Sequence, residues 1–159
     1  MAEQIKTNVM RVLEQQGIPY IAHEYPHGKE AVDGVTVARL LGQDPECVYK
    51  TLVARGKSGG IYVFCIPVAE ALDLKKAARA VGEKAVEMIA VKELLGLTGY
   101  IRGGCSPVGM KKKYPTYMDE TCQLYDEIAV SAGERGHQMI LSPEALARLV
   151  DAEFVDLIL

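Results

Sequence analysis

The segment VYKTLVARGKSGGIYVFCIPV, residues 48–68, constrains the fold more than any other part of the chain. Its arms, 48–54 and 61–68, are rich in β-branched and aromatic residues, and GKSGG between them supplies the glycines of a tight reversal. These residues predict a hairpin in the core of a sheet. The period of a strand puts Lys50, Leu52 and Ala54 on one face and Tyr49, Thr51 and Val53 on the other, both at least half-buried. A lysine in such a strand either snorkels to an edge or stands partly desolvated at the mouth of a pocket, its charge aimed at a phosphate or a carbonyl.

The remaining elements alternate irregularly. Ile5, Val9, Val12 and Leu13 recur at helical spacing, and Gly17 with Pro19 supplies a stop, so 4–16 predicts an amphipathic helix. Pro19–Tyr25 predicts a strand with Ile21, His23 and Tyr25 on one face, and Val35–Leu41 a short helix closed by Gly42, with Asp44-Pro45 capping a further turn. Asp73 caps a helix through Val81 that Gly82 closes; Ala85–Ile89 predicts a strand and Val91–Leu95 a short helix. Thr116–Asp119, Glu127–Ser131 and His137–Leu141 predict strands, the last two joined by a turn at 132–136. Ser142-Pro143-Glu144 starts a helix to about Asp151, and Phe154–Leu159 predicts a final strand. Without a regular βαβ rhythm, this order indicates an α+β domain in which helices pack around a mixed sheet.

A chain of 159 residues suits one domain, and 49% hydrophobic with 25% charged residues is an ordinary globular balance. No run approaches the roughly 20 apolar residues of a membrane span. The first 17 residues mix charge and polarity, unlike a secretory signal, so a cytosolic location is expected. Cys47, Cys65, Cys105 and Cys122 form no Cys-x-x-Cys pair, and His23, His27 and His137 are dispersed. The expectation is free thiols and no zinc site. With 18 Lys+Arg against 21 Asp+Glu, any contact with nucleic acid must be local. Dinucleotide-binding, Walker and nucleophile-elbow motifs are absent from the sequence.

Chemistry concentrates in GYIRGGCSPVGMKKKYPT, residues 99–116. The Gly103-Gly104-Cys105-Ser106-Pro107 loop is either a tight connection or a set of unobstructed backbone N–H groups that stabilise an oxyanion. Cys105 has no recognisable His or Asp to activate it, and an unactivated thiol is a poor nucleophile at neutral pH. Lys111, Lys112 and Lys113 are either a solvated turn or a phosphate contact. Arg135, at the tip of SAGERG (131–136), is a further candidate phosphate ligand.

In order along the chain, HEY (23–25), VYKTL (48–52), LDLKK (72–76), the 99–116 loop and VSAGERG (130–136) resemble the YbaK branch of the prolyl-tRNA editing family. The resemblance covers nearly the whole chain. It implies one α+β domain over 1–159, a mixed and mostly antiparallel sheet or partial barrel surrounded by helices. It also implies trans-acting deacylation of mischarged aminoacyl-tRNA, chiefly Cys-tRNA(Pro) and also Cys-tRNA(Cys), without metal or cofactor, with prolyl-tRNA synthetase as a partner. In that family the substrate's own thiol attacks its carbonyl and releases a thiolactone. By position, Lys50 is similar to the family's essential lysine and Tyr25 to its pocket tyrosine. Gly103 and Pro107 match the ends of its Gly-x-x-x-Pro loop, and Ser131 and Gly133 its second wall. Lys50 with the Gly103 and Gly104 backbone are thus candidate catalytic groups, and Cys105 and Ser106 candidate substrate contacts. Lys111, Lys112, Lys113 and Arg135 are candidate tRNA contacts. Gln138 stands where relatives carry an acidic residue. Two rivals remain at this point: an alanine-specific deacylase using water, and a non-catalytic module that binds tRNA or a synthetase.

Overall fold

The computed structural model describes residues 6–159. Its elements are α1 (Asn8–Gln15), β1 (Ile21–Glu24), α2 (Gly34–Leu40), β2 (Tyr49–Gly56), β3 (Ile61–Pro67), α3 (Leu74–Val81), β4 (Val86–Met88), α4 (Val91–Thr98), β5 (Thr116–Asp119), β6 (Ile128–Ser131), β7 (His137–Leu141), α5 (Pro143–Val150) and β8 (Glu153–Val155). The predicted hairpin forms as the antiparallel pair β2–β3, with Lys50 opposite Ile66 and Arg55 opposite Ile61. It is the centre of a five-stranded mixed sheet ordered β4-β2-β3-β5-β8, in which β5 and β8 join in parallel. A second sheet, β1-β7-β6, is wholly antiparallel. The two sheets touch through one parallel bridge, Val48 to Ala129, and close no barrel among the described residues.

Strand alternation then builds two apolar layers. Tyr49, Cys65 and Met118 face Val9, Met10 and Leu13 of α1, together with Met139 and Leu141 of β7 and Leu146 of α5. On the opposite face, Ala54, Phe64 and Ile66 pack on Ala77 and Ala78 of α3 and on Leu157. The helix boundaries follow their caps. Asp73 accepts from Lys75 and Lys76 N–H, and Gly82 closes α3 at φ +75°.

Four predicted elements shift. The 4–16 helix starts at Asn8, because Thr7 accepts the Met10 N–H as its N-cap; residues 4 and 5 lie outside the described residues. The predicted 19–25 strand narrows to β1, although Tyr25 N–H still donates to Gly136 O at 2.9 Å. α4 runs past Leu95, through Gly96, until Gly99 at φ +86° provides a left-handed cap. The last strand stops at Val155 because the buried Asp119 takes the Leu157 N–H at 2.9 Å, replacing a ladder partner with a carboxylate. A 3-10 turn over Glu120–Leu124, capped by Asp119, follows β5.

Candidate active site

A cavity of about 120 Å³ opens where the two sheets meet. That is below the roughly 300–1,000 Å³ of a pocket for a drug-sized ligand, and it suits a small acyl group. Tyr49, Lys50 and Thr51 at the start of β2 form one wall, and Ser131, His137 and Gln138 of β6 and β7 face them. Tyr25, Gly103 and Cys105 complete the rim. Gly34 lets α2 close the floor, since a Cβ there would lie 2.2 Å from Val68 Cγ1.

Lys50 is half-buried and has no hydrogen-bond or ion-pair partner among the described residues. Burial lowers its pKa from the ordinary lysine value, and the charge of Glu70 only partly opposes this. A desolvated ammonium with its donors free is poised to meet an anion or a developing negative charge. Cys105 is 8% exposed, and burial pushes its thiol up to about 12. Its sulfur stays protonated at neutral pH, so this wall of the cavity holds no thiolate nucleophile.

The loop backbone is only partly free. Gly104 N–H donates to Ile101 O at 3.0 Å. The N–H groups of Gly103, Cys105 and Ser106 have no acceptor among the described residues. The residues lining the cavity therefore bring one lysine cation, the unengaged amides of Gly103 and Cys105, and no activated protein nucleophile.

Residues 29–149 match the model of a family described as the aminoacyl-tRNA editing domain. The chain belongs to that family. It is 47% identical over 154 residues, 97% of this chain and 94% of the other, to an Enterococcus faecalis protein provisionally named Cys-tRNA(Pro)/Cys-tRNA(Cys) deacylase EbsC. A crystal structure provisionally described as a trans-editing enzyme for prolyl tRNA synthetase superposes with TM-score 0.81 at 28% identity, covering 98% of this chain and 99% of that one. The structure of a hypothetical protein shares the fold at TM-score 0.85 and 22% identity, covering 95% and 99% of the two chains.

Within this editing domain the structure brings Tyr25, Lys50, Gly103, Cys105 and Ser131 to one cavity, as the sequence pattern anticipates. The other site candidates lie elsewhere. Gly104 is committed to its turn, and its Cβ position is filled by the backbone of Glu134 and Arg135. Ser106 is fully buried, and its Oγ accepts the Val108 N–H at 3.2 Å, a turn role in place of substrate contact. Gly133, at φ +97°, donates to Ser131 Oγ at 3.2 Å and so orients the residue that does line the cavity. Pro107 is buried and lines a separate groove with Lys112, Lys113 and Leu149. Lys111, Lys112 and Lys113 are exposed; Lys113 is ion-paired with Asp151. Arg135 bonds to two backbone carbonyls, a use of its donors that the sequence pattern does not suggest.

One neighbour of the cavity, Gln43, escapes sequence reasoning. Gln43 Nε2 donates to Gln138 Oε1 at 2.7 Å, and Gln138 Nε2 returns a bond to Gln43 Oε1 at 3.0 Å. This wall is a neutral amide pair whose members stand 95 residues apart, and nothing local signals Gln43. His137 Nδ1 is buried without a hydrogen-bond partner among the described residues, its nearest carboxylate being Glu24 at 3.9 Å.

Proposed function

We propose that this editing domain is a trans-acting deacylase that clears cysteine misattached to tRNA(Pro), and that cysteine on tRNA(Cys) is a second substrate. The observation that carries this reading is the cavity itself: Lys50, Gly103 and Cys105 line a space of acyl size, the two loop residues have unengaged amides, and the Cys105 thiol is held protonated. An aminoacyl ester is already activated, so a catalyst needs mainly to position it and stabilise charge. The substrate thiolate attacks its own carbonyl carbon, forming a C–S bond and pushing the electron pair onto the carbonyl oxygen. Lys50 and the amides stabilise that oxyanion. Its collapse breaks the C–O bond, the terminal ribose oxygen leaves and takes a proton, and the products are a thiolactone and free tRNA. By this route the enzyme is a lyase in its chemistry, although the thiolactone later hydrolyses.

Lys111 and Lys112, exposed beside the groove that Pro107 lines, serve as phosphate contacts for the acceptor end. At a net charge of −3 such contacts bind tRNA weakly, which favours action in complex with prolyl-tRNA synthetase in the cytosol. The test is a panel of Cys-, S-methyl-Cys-, Ser- and Ala-tRNA(Pro) with trapping of the first product. Fast release of a thiolactone from Cys-tRNA(Pro) alone is expected. Comparable clearance of Ala-tRNA(Pro), or of the S-methyl substrate, would transfer the attack to water and overturn the thiol mechanism.

A further inference from the structure

Three backbone segments converge on one edge of the cavity: the stretch after Tyr25, the loop around Gly103, and the turn between β6 and β7. They are in direct contact. A Cβ on Gly103 would lie 2.9 Å from Ala31 Cβ, and one on Gly104 would lie 3.1 Å from Arg135 N. A single side chain ties all three. Arg135, in the turn, donates from Nε to Arg102 O at 2.7 Å and from Nη1 to Lys29 O. Those acceptors stand 33 and 106 residues away in sequence, one on each of the other two segments. Arg135 has no carboxylate partner among the described residues, so its charge is directed at carbonyl dipoles.

We infer that Arg135 is a positioning residue for the deacylation, holding the Gly103 loop against the 26–33 stretch and thereby aiming the Gly103 and Cys105 amides. This role rests on the deacylase reading and departs from the phosphate contact that the turn sequence suggests. The geometry favours the clamp. A guanidinium is a rigid fork, and here two of its nitrogens fix two carbonyls relative to each other. A phosphate that captured the same two donors would release the loops whose positions the reaction needs. A lysine at 135 would keep the charge, but its single nitrogen on a flexible stem cannot reproduce the fork.

The experiment compares the full chain with Arg135→Lys and Arg135→Ala. Deacylation of Cys-tRNA(Pro) is resolved into kcat and KM across a salt series, and amide hydrogen exchange is followed without tRNA. Both variants should lose kcat by comparable factors, on the order of tenfold to a hundredfold, as expected for reacting groups misplaced by about 1 Å. The salt slope of KM should be unchanged, and exchange should accelerate at Gly104, whose N–H is bonded to Ile101 O, while the α3 amides keep their protection. A lysine variant with wild-type kcat, beside an alanine variant with raised KM and a salt slope lower by about 1, would make Arg135 a phosphate ligand and overturn the clamp. So would unchanged kinetics in both variants, or acceleration spread evenly through α3, which marks a general stabiliser. If the unsubstituted chain fails to clear Cys-tRNA(Pro), the deacylase reading falls and the exchange measurement alone decides whether Arg135 clamps the loop.

Discussion

Replacing Gly103 with alanine separates the loop's shape from its chemistry, because the added methyl group carries no charge and no hydrogen bond. Gly103 sits at φ +88°, and its new Cβ would lie 2.9 Å from Ala31 Cβ and 3.2 Å from Ala31 Cα. Holding an L-residue in that backbone conformation costs on the order of 1–3 kcal/mol. The contact costs about 1–3 kcal/mol more, since Ala31 has no rotamer to turn away and its backbone must move. The sum, roughly 2–6 kcal/mol, reaches only the bottom of the ~5–15 kcal/mol that holds a typical domain together, so the variant should fold with a much lower urea midpoint. The strain is relieved by the loop moving away from Ala31, which carries the Gly103 and Cys105 amides off target; kcat should fall by about a hundredfold. Gly96 is the internal control. It lies inside α4, with nothing within 4 Å of its Cβ position and no positive φ, so Gly96→Ala should stabilise by about 0.5–1 kcal/mol and leave kcat unchanged. Urea unfolding and single-turnover deacylation measure both quantities on the same samples. A Gly103→Ala protein within about 0.5 kcal/mol of the parent and fully active would refute the reasoning, because neither the backbone conformation nor the contact could then hold in solution.

Lys50→Met should abolish deacylation and raise stability at neutral pH, since it removes a desolvated charge and keeps the aliphatic stem; an active variant would remove Lys50 from the mechanism. The sign of the pH effect follows from burial: the folded-state pKa of Lys50 lies below the unfolded value, so in the window between them the unfolded chain binds more protons. Stability should therefore rise with pH through that window in the parent, and urea midpoints of Lys50→Met should lack that component. Cys105→Ala should keep most of the activity, and the parent's pH–rate profile should show no thiol step assignable to residue 105 below pH 10, because burial holds that thiol up at about 12. Neutralising Lys111 and Lys112 together should raise KM for tRNA and flatten its salt dependence without changing kcat. Neutralising Lys113 alone should do less, because Asp151 already engages it.

Much of this architecture is legible locally. The Asp73 cap and the Gly82 stop bound α3, Ser142 and Pro143 start α5, and the two glycines at 59–60 reverse the β2–β3 hairpin, because caps and turns are settled by neighbouring backbone groups. Lys50 stands out for the same reason: a charge in an otherwise apolar strand is an anomaly visible in seven residues. The family motifs then assemble Tyr25, Lys50, Gly103, Cys105 and Ser131 into one cavity, and the fold brings them there. Other features have no local trace. Whether a loop amide is free depends on which carbonyl lies within reach, and only the folded turn commits Gly104 to Ile101 O. The amide pair of Gln43 with Gln138, the Arg135 bridge to Lys29 and Arg102, and the early end of β8 under Asp119 each join residues 33 to 106 positions apart. A side chain's hydrogen-bonding capacity is written in its residue type. Its partner is chosen by the packing that brings distant backbone alongside, so the sequence alone determined the elements and the identity of the chemical groups, and the tertiary structure decided which of them are free to meet a substrate.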